Sequence, residues 1–177
     1  VEVRAPFHSS VEDLQEDSAP VAKSLLEDLR AQSTEQALVV LRCDDSEVRA
    51  FIAAPNLKQV TSLGPTTLEH VIRTKRVPLI GDDIAQYIRD YVEYFERNRT
   101  DGDGLRMLDP TPRVILHPEL GLLTIGTSRK AASAVMDIYR HTIRIIHAAE
   151  RMGGYQTVSE RQAFGLEYWE LEQRRLT

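Results

Sequence analysis

Cysteine is almost missing from this chain: Cys43 is alone among 177 residues. An internal disulfide framework is therefore excluded, and the composition fits a reducing, cytoplasmic setting. Long apolar runs are missing as well, so no stretch reads as a membrane span, and the N-terminus lacks the basic-then-apolar layout of a secretory leader. The first residue is Val1, not Met, as expected of a piece that begins inside a longer protein. Positive charge is in deficit, with a net charge of −5. That balance argues against a general nucleic-acid binder, whose phosphate contacts need a concentrated basic surface. Motifs are sparse too. There is no Gly-rich phosphate loop of either common type, no His-x-x-x-His helix, no paired-Cys metal motif and no Gly-x-Ser-x-Gly elbow.

What is present suits one soluble domain of ordinary size, with 42% hydrophobic and 28% charged residues. Residues 1–9 lack a period and read as an extended arm. Ser10 to Asp13 has capping-box spacing and predicts a helix start. A helix is predicted from about Ser18, with Pro20 in its first turn and Ala22, Leu25, Leu26 and Leu29 as its apolar stripe. The run ALVVLRC (37–43) predicts a strand, and VRAFIAA (48–54) a second one, paired with it as a hairpin. Two short helices separated by Gly64-Pro65 follow, then an extended run at Val77 to Ile80. Asp82 to Arg99 predicts a helix on the spacing of Ile84, Tyr87, Ile88, Tyr91, Val92 and Phe95. NRTDGDG (98–104) is a surface loop. Arg113 to His117 and Gly121 to Gly126 read as strands joined by a tight turn. Thr127 or Ser128 then caps a long helix that stops at Gly153-Gly154. Its buried stripe is expected at Ala132, Val135, Tyr139, Thr142, Ile146 and Ala149, with Asp137, Arg140, His141, Arg144, His147 and Arg151 mostly on other faces. From Ser159 the tail reads as a short helix and then a charged one. The whole predicts a layered α/β domain with a mixed or antiparallel central sheet flanked by helices. Its divisions are an N-terminal arm and helices (1–35), an α/β body (36–152) and a helical tail (153–177).

The most suggestive polar cluster lies between Gly64 and Leu79, where Thr67, His70, Arg73 and Lys75 gather donors and positive charge. An anionic ligand such as a sugar phosphate suits that set, since arginine offers a planar fork and lysine a point charge. The same residues equally suit a helix end, whose dipole favours cations, and that arrangement is the commoner one. His117 and Glu119 sit at a strand end, but metal sites need three or four convergent ligands. His141 and His147 are six residues apart and share no helix face. Cys43 reads as a small core residue, and Tyr168-Trp169 as a packing anchor.

The segment from Arg113 to Met152 resembles the closing strand–strand–helix of the class II aldolase/adducin family. In that family a His-Gly dipeptide between the strands supplies one ligand of a catalytic zinc. Here Leu120 precedes Gly121, and the family's His-x-His pair is missing. LGPTTLEHVIRTKRVPL, YVEYFERN, MLDPTPRVILHPELGLLTIG and the run from Ile138 to Leu176 are similar, in that order, to one architecture. It is the intermediate region of bifunctional rhamnulose-1-phosphate aldolase/short-chain dehydrogenases, matched from about residue 36 to the end.

The resemblance implies a non-catalytic or accessory domain of a rhamnose-type sugar-catabolic enzyme. Such an enzyme would cleave a ketose phosphate to dihydroxyacetone phosphate and lactaldehyde, then oxidise the aldehyde. Zinc and NAD would belong to the flanking portions, with no cofactor in this chain. Its partners would be the aldolase and dehydrogenase portions of the same polypeptide, in a homo-oligomer. The competing expectation is a structural oligomerisation module with an adducin-like fold and no ligand. A stand-alone aldolase is disfavoured by the missing metal ligands.

Overall fold

Three strands rich in aliphatic residues nucleate the architecture. The computed structural model describes residues 11–15, 19–100, 102 and 104–169. Strand β2 (Val39–Cys43) pairs antiparallel with β5 (Gly121–Gly126), which pairs antiparallel with β4 (Val114–His117). A three-residue strand, β1 (Val11–Asp13), closes one edge beside β2, and β3 (Leu79–Ile80) closes the other, parallel to β4. The five-stranded sheet is therefore mixed, in the order β1-β2-β5-β4-β3. Both edge strands are very short, which limits the unpaired backbone offered to other chains.

Successive side chains of a strand point to opposite faces, and here each face receives a helical layer. Leu41, Cys43, Val114, Leu116 and Leu122 meet the long helix α6 (Arg129–Arg151) through Val135, Met136, Tyr139, Ile143 and Ile146. Val40, Ile115, Leu123 and Ile125 meet α1 (Pro20–Gln32) and α5 (Ile84–Asn98) on the other face. Helix α1 buries the four residues its spacing indicates, Ala22, Leu25, Leu26 and Leu29. Fully burying such an aliphatic side chain stabilises by about 1.5–3 kcal/mol. A third cluster, Tyr91, Tyr94, Phe95, Phe164 and Tyr168, joins α5 to α7 (Glu160–Glu167). Asp83 caps α5, Ser128 caps α6, and Ser159 with Gln162 forms a capping box on α7. Among the described residues, no helix is long and apolar enough to cross a membrane.

Three local expectations are corrected. Residues 46–52 form a helix, α2 (Ser46–Ile52), not the second strand of a hairpin. The Asp45 side chain accepts from the Val48 N–H at 3.0 Å and caps that helix, while Val48 and Phe51, three apart, enter the core. Residues 11–13 are an edge strand, not a helix start, because they gain a ladder on β2; Ser10 lies outside the described residues. Arg140 is buried, not on an outer face of α6. Its guanidinium reaches Asp45 at 2.6 Å and the Cys43 sulfur at 3.1 Å, and with the Arg144–Glu47 pair it ties α6 to α2. The readings for residues 1–9 and 170–176 fall outside the described residues.

Between β3 and the preceding elements, α3 (Leu57–Ser62) leads through Gly64-Pro65 to a 3-10 turn (Leu68–His70) and the single-turn α4 (Val71–Thr74). This compact connection carries the polar cluster singled out from the sequence.

Candidate functional site

Helix α4 ends in an unusual way. Lys75, which follows it, has φ 60° and ψ 177° and is the one non-glycine at positive φ among the described residues. That region is essentially reserved for glycine and costs a lysine about 1–3 kcal/mol. The conformation turns the side chain inward. The Lys75 ammonium donates to the Asp109 carbonyl oxygen at 2.6 Å and sits 3.5 Å from the centre of the Tyr91 ring. Burial pushes its pKa down to about 8; Glu167 opposes the shift and Arg113 adds to it.

Lys75 lines a cavity of about 510 Å³ together with Arg73, Asp109, Arg113, Glu35 and Glu167, beside the Gly126-Thr127 turn that leads into α6. Glu167, the last residue of α7, is 1% exposed. Its carboxylate accepts from the Tyr91 and Tyr94 hydroxyls at 2.8 and 3.0 Å, and Tyr91 also shares a 2.7 Å hydrogen bond with Tyr168. Burial raises the Glu167 pKa, against the opposing pull of Lys75 and the two hydroxyls. Burial likewise raises the tyrosine pKa values, so these hydroxyls remain donors.

Asp109 organises the opposite wall. One carboxylate oxygen accepts from Ser33 Oγ at 2.8 Å, Thr34 N at 2.6 Å and Thr34 Oγ1 at 2.9 Å. The other accepts from Thr111 N at 3.0 Å and from the Thr111 hydroxyl. Burial alone would raise its pKa, but these donors, with Arg113 nearby, hold it down to about 2. Arg113 pairs with Glu35 at 3.1 Å through Nη2, while its Nη1 is buried and finds no acceptor among the described residues. Arg73 is half-buried and makes no ion pair among the described residues. A buried unsatisfied donor beside a cavity calls for an explanation, and a bound acceptor is one.

Of the four residues singled out in the sequence, the structure brings Arg73 and Lys75 to this cavity. Thr67 is exposed, and His70 turns away from the cavity, sharing a 3.1 Å hydrogen bond with Thr66. Burial and the neighbouring His141 lower the His70 pKa. Glu35, Asp109, Arg113 and Glu167 add the other charged groups of the lining without having been picked out. Asp109-Pro110-Thr111 carries a weak signal, since an aspartate followed two residues later by threonine favours a side chain-to-backbone turn.

The other candidates find structural roles. His117 Nδ1 accepts from the Glu119 and Leu120 N–H groups at 3.1 and 3.2 Å and closes the β4–β5 turn. His147 lies edge-on to Phe51, with ring centres 5.4 Å apart, and Cys43 is fully buried in the core. Leu120, which precedes Gly121 in the β4–β5 turn, packs into the α1–α5 core layer. Its hydrocarbon side chain does not fit a metal there. Gly121 (φ 86°) has its own reason: a Cβ at this position would lie 2.5 Å from the Cys43 carbonyl oxygen.

A mixed five-stranded sheet lies between helical layers, with a cavity at the α4–α7 corner. Residues 15–176 match the family described as aldolase class II, second domain, and the chain belongs to that family. It is also 28% identical over 167 residues to a Bacillus subtilis (strain 168) protein named uncharacterized oxidoreductase YuxG. That alignment covers 84% of this chain and 24% of the relative, so the chain spans about a quarter of the relative's length.

Proposed function

We propose that this class II aldolase-related domain is an accessory part of a longer aldolase–oxidoreductase polypeptide of the rhamnulose-1-phosphate type. It packs on the aldolase portion and holds a phosphorylated sugar or its fragment in the α4–α7 cavity. Zinc and nicotinamide chemistry belong to the flanking portions, and homo-oligomeric assembly is part of the same reading. The observation that carries the ligand is the arginine wall: among the described residues, the buried Nη1 of Arg113 finds no acceptor and Arg73 makes no ion pair, on the same cavity. Guanidinium groups match the oxygens of a phosphate monoester in geometry and charge. The family and the oxidoreductase-named relative support the larger setting.

The test is steady-state kinetics of the intact polypeptide on a ketose 1-phosphate, with Arg73→Gln and Arg113→Gln. A raised KM with near-normal folding supports the reading, and unchanged kinetics in the double variant refute it. A second reading, an assembly module without ligand, is favoured by Trp169, which leaves 48% of its surface exposed beyond α7. Both readings include assembly, so the Arg73→Gln and Arg113→Gln kinetics separate them: only the first requires a raised KM, while sedimentation of Trp169→Ser tests whether the subunit contact runs through Trp169.

A further inference from the structure

We propose that Lys75 captures a carbonyl compound in the α4–α7 cavity by forming a reversible imine with its aldehyde or ketone carbon. The inference rests on the reading that this cavity takes a ligand.

Two penalties converge on Lys75. Its backbone occupies a region reserved for glycine, and its ammonium is buried in a residue 6% exposed. A glycine would relieve the first, and an apolar side chain would relieve the second. Backbone strain and a buried titratable group that coincide on a cavity wall point to a functional site. Desolvation also makes a lysine amine nucleophilic near neutral pH, and burial here acts in that direction.

The neighbours match what imine formation requires. The amine is presented by one carbonyl oxygen and one aromatic face, both of which it can leave without stranding a charge. Glu167 lines the same cavity, its carboxylate accepts from the Tyr91 and Tyr94 hydroxyls, and burial, which raises its pKa, favours its taking up the proton that the ammonium releases. In the first step the nitrogen lone pair of the neutral amine attacks the carbonyl carbon. A C–N bond forms, the π electrons move to oxygen, and that oxygen takes a proton from Glu167. The nitrogen then returns one proton to the carboxylate. The hydroxyl, protonated a second time, leaves as water, and the nitrogen lone pair closes the C=N bond. Overall, amine, carbonyl and one proton give protonated imine and water, with no oxidant or reductant. Arg73 and Arg113 would hold a phosphate on the same molecule, so the ligand class is a small phosphorylated ketone or aldehyde.

The experiment traps the imine. The intact polypeptide is incubated with dihydroxyacetone phosphate or dihydroxyacetone, reduced with cyanoborohydride, digested, and mapped by mass spectrometry. Lys23, Lys58 and Lys130 are exposed and serve as internal controls. The expected result is an adduct on Lys75 at least about tenfold more abundant than on the three exposed lysines, reflecting activation by desolvation. Lys75→Arg, which keeps the charge, should remove it. Calorimetric titration with dihydroxyacetone phosphate runs alongside. Binding that Arg113→Gln weakens, without a Lys75 adduct, overturns this inference and leaves the anion site standing. An adduct with dihydroxyacetone alone, without phosphate-dependent binding, upholds the amine's role and overturns the anion reading. Labelling confined to Lys23, Lys58 and Lys130 without binding overturns both.

Discussion

Replacing Asp109 with asparagine should expose how much of this corner depends on one carboxylate. Asp109 draws together the end of α1, through Ser33 and Thr34, and the approach to β4, through Thr111. Its carboxylate accepts from both sides, whereas an amide offers one accepting oxygen and turns its NH₂ towards existing donors. The folded pKa of about 2 against an ordinary 3.8 corresponds to roughly 2 kcal/mol of stability. The sign follows from the depressed value: this stability is complete above the unfolded pKa and is lost as pH falls from about 4 through about 2. Asp109→Asn should therefore lower unfolding free energy by roughly 2–4 kcal/mol at pH 7, the upper end including stranded donors. Urea unfolding of wild type and variant at pH 7 and pH 3 provides the assay. The gap between them should narrow by roughly 1 kcal/mol at the lower pH, as wild type protonates in the unfolded state. An unchanged gap at both pH values would refute the assignment of this stability to the charged carboxylate.

Other perturbations probe separate parts of the structure. Gly121→Ala meets both a positive φ and the Cys43 carbonyl, so thermal unfolding should report a loss of about 1–3 kcal/mol; an unchanged melting temperature would contradict the packing of the β4–β5 turn. Phe51→Ala removes a side chain that α2 buries to 1% exposure, and chemical denaturation should show about 3–5 kcal/mol lost. A surface-like effect below about 0.5 kcal/mol would argue against α2. Glu167→Gln removes the group that most opposes the depression of Lys75, so the titration midpoint of that amine, followed by NMR, should fall below about 8. A rise would reverse the electrostatics described for the cavity.

Sequence periodicity carried much of the architecture, and its failures have physical causes. Helix α1 declares itself through Ala22, Leu25, Leu26 and Leu29, and α6 through its Ser128 cap and long amphipathic repeat. The stretch 48–54 misleads because a short apolar run suits a strand or a buried helix equally. What decides it is tertiary: Asp45 caps the turn, and Arg140 and Arg144 of α6 hold Asp45 and Glu47. Arg140 itself looks like a surface residue until that pairing is seen. The cavity shows the same limit. Arg73 and Lys75 stand out locally, but Lys75 meets Asp109 across 34 positions and Tyr91 meets Glu167 across 76. No local pattern joins partners so distant. Nor does any composition rule announce a lysine at positive φ, whose strain is visible only in the folded backbone.

Whether the α4–α7 cavity holds a phosphorylated ligand is decided by calorimetric titration of the intact polypeptide with dihydroxyacetone phosphate, repeated with Arg113→Gln. The wild type should bind, and binding should weaken by about tenfold or more in the variant, as loss of a charge-assisted contact requires. Equal affinity in both proteins, or no binding by a folded wild type, would contradict it.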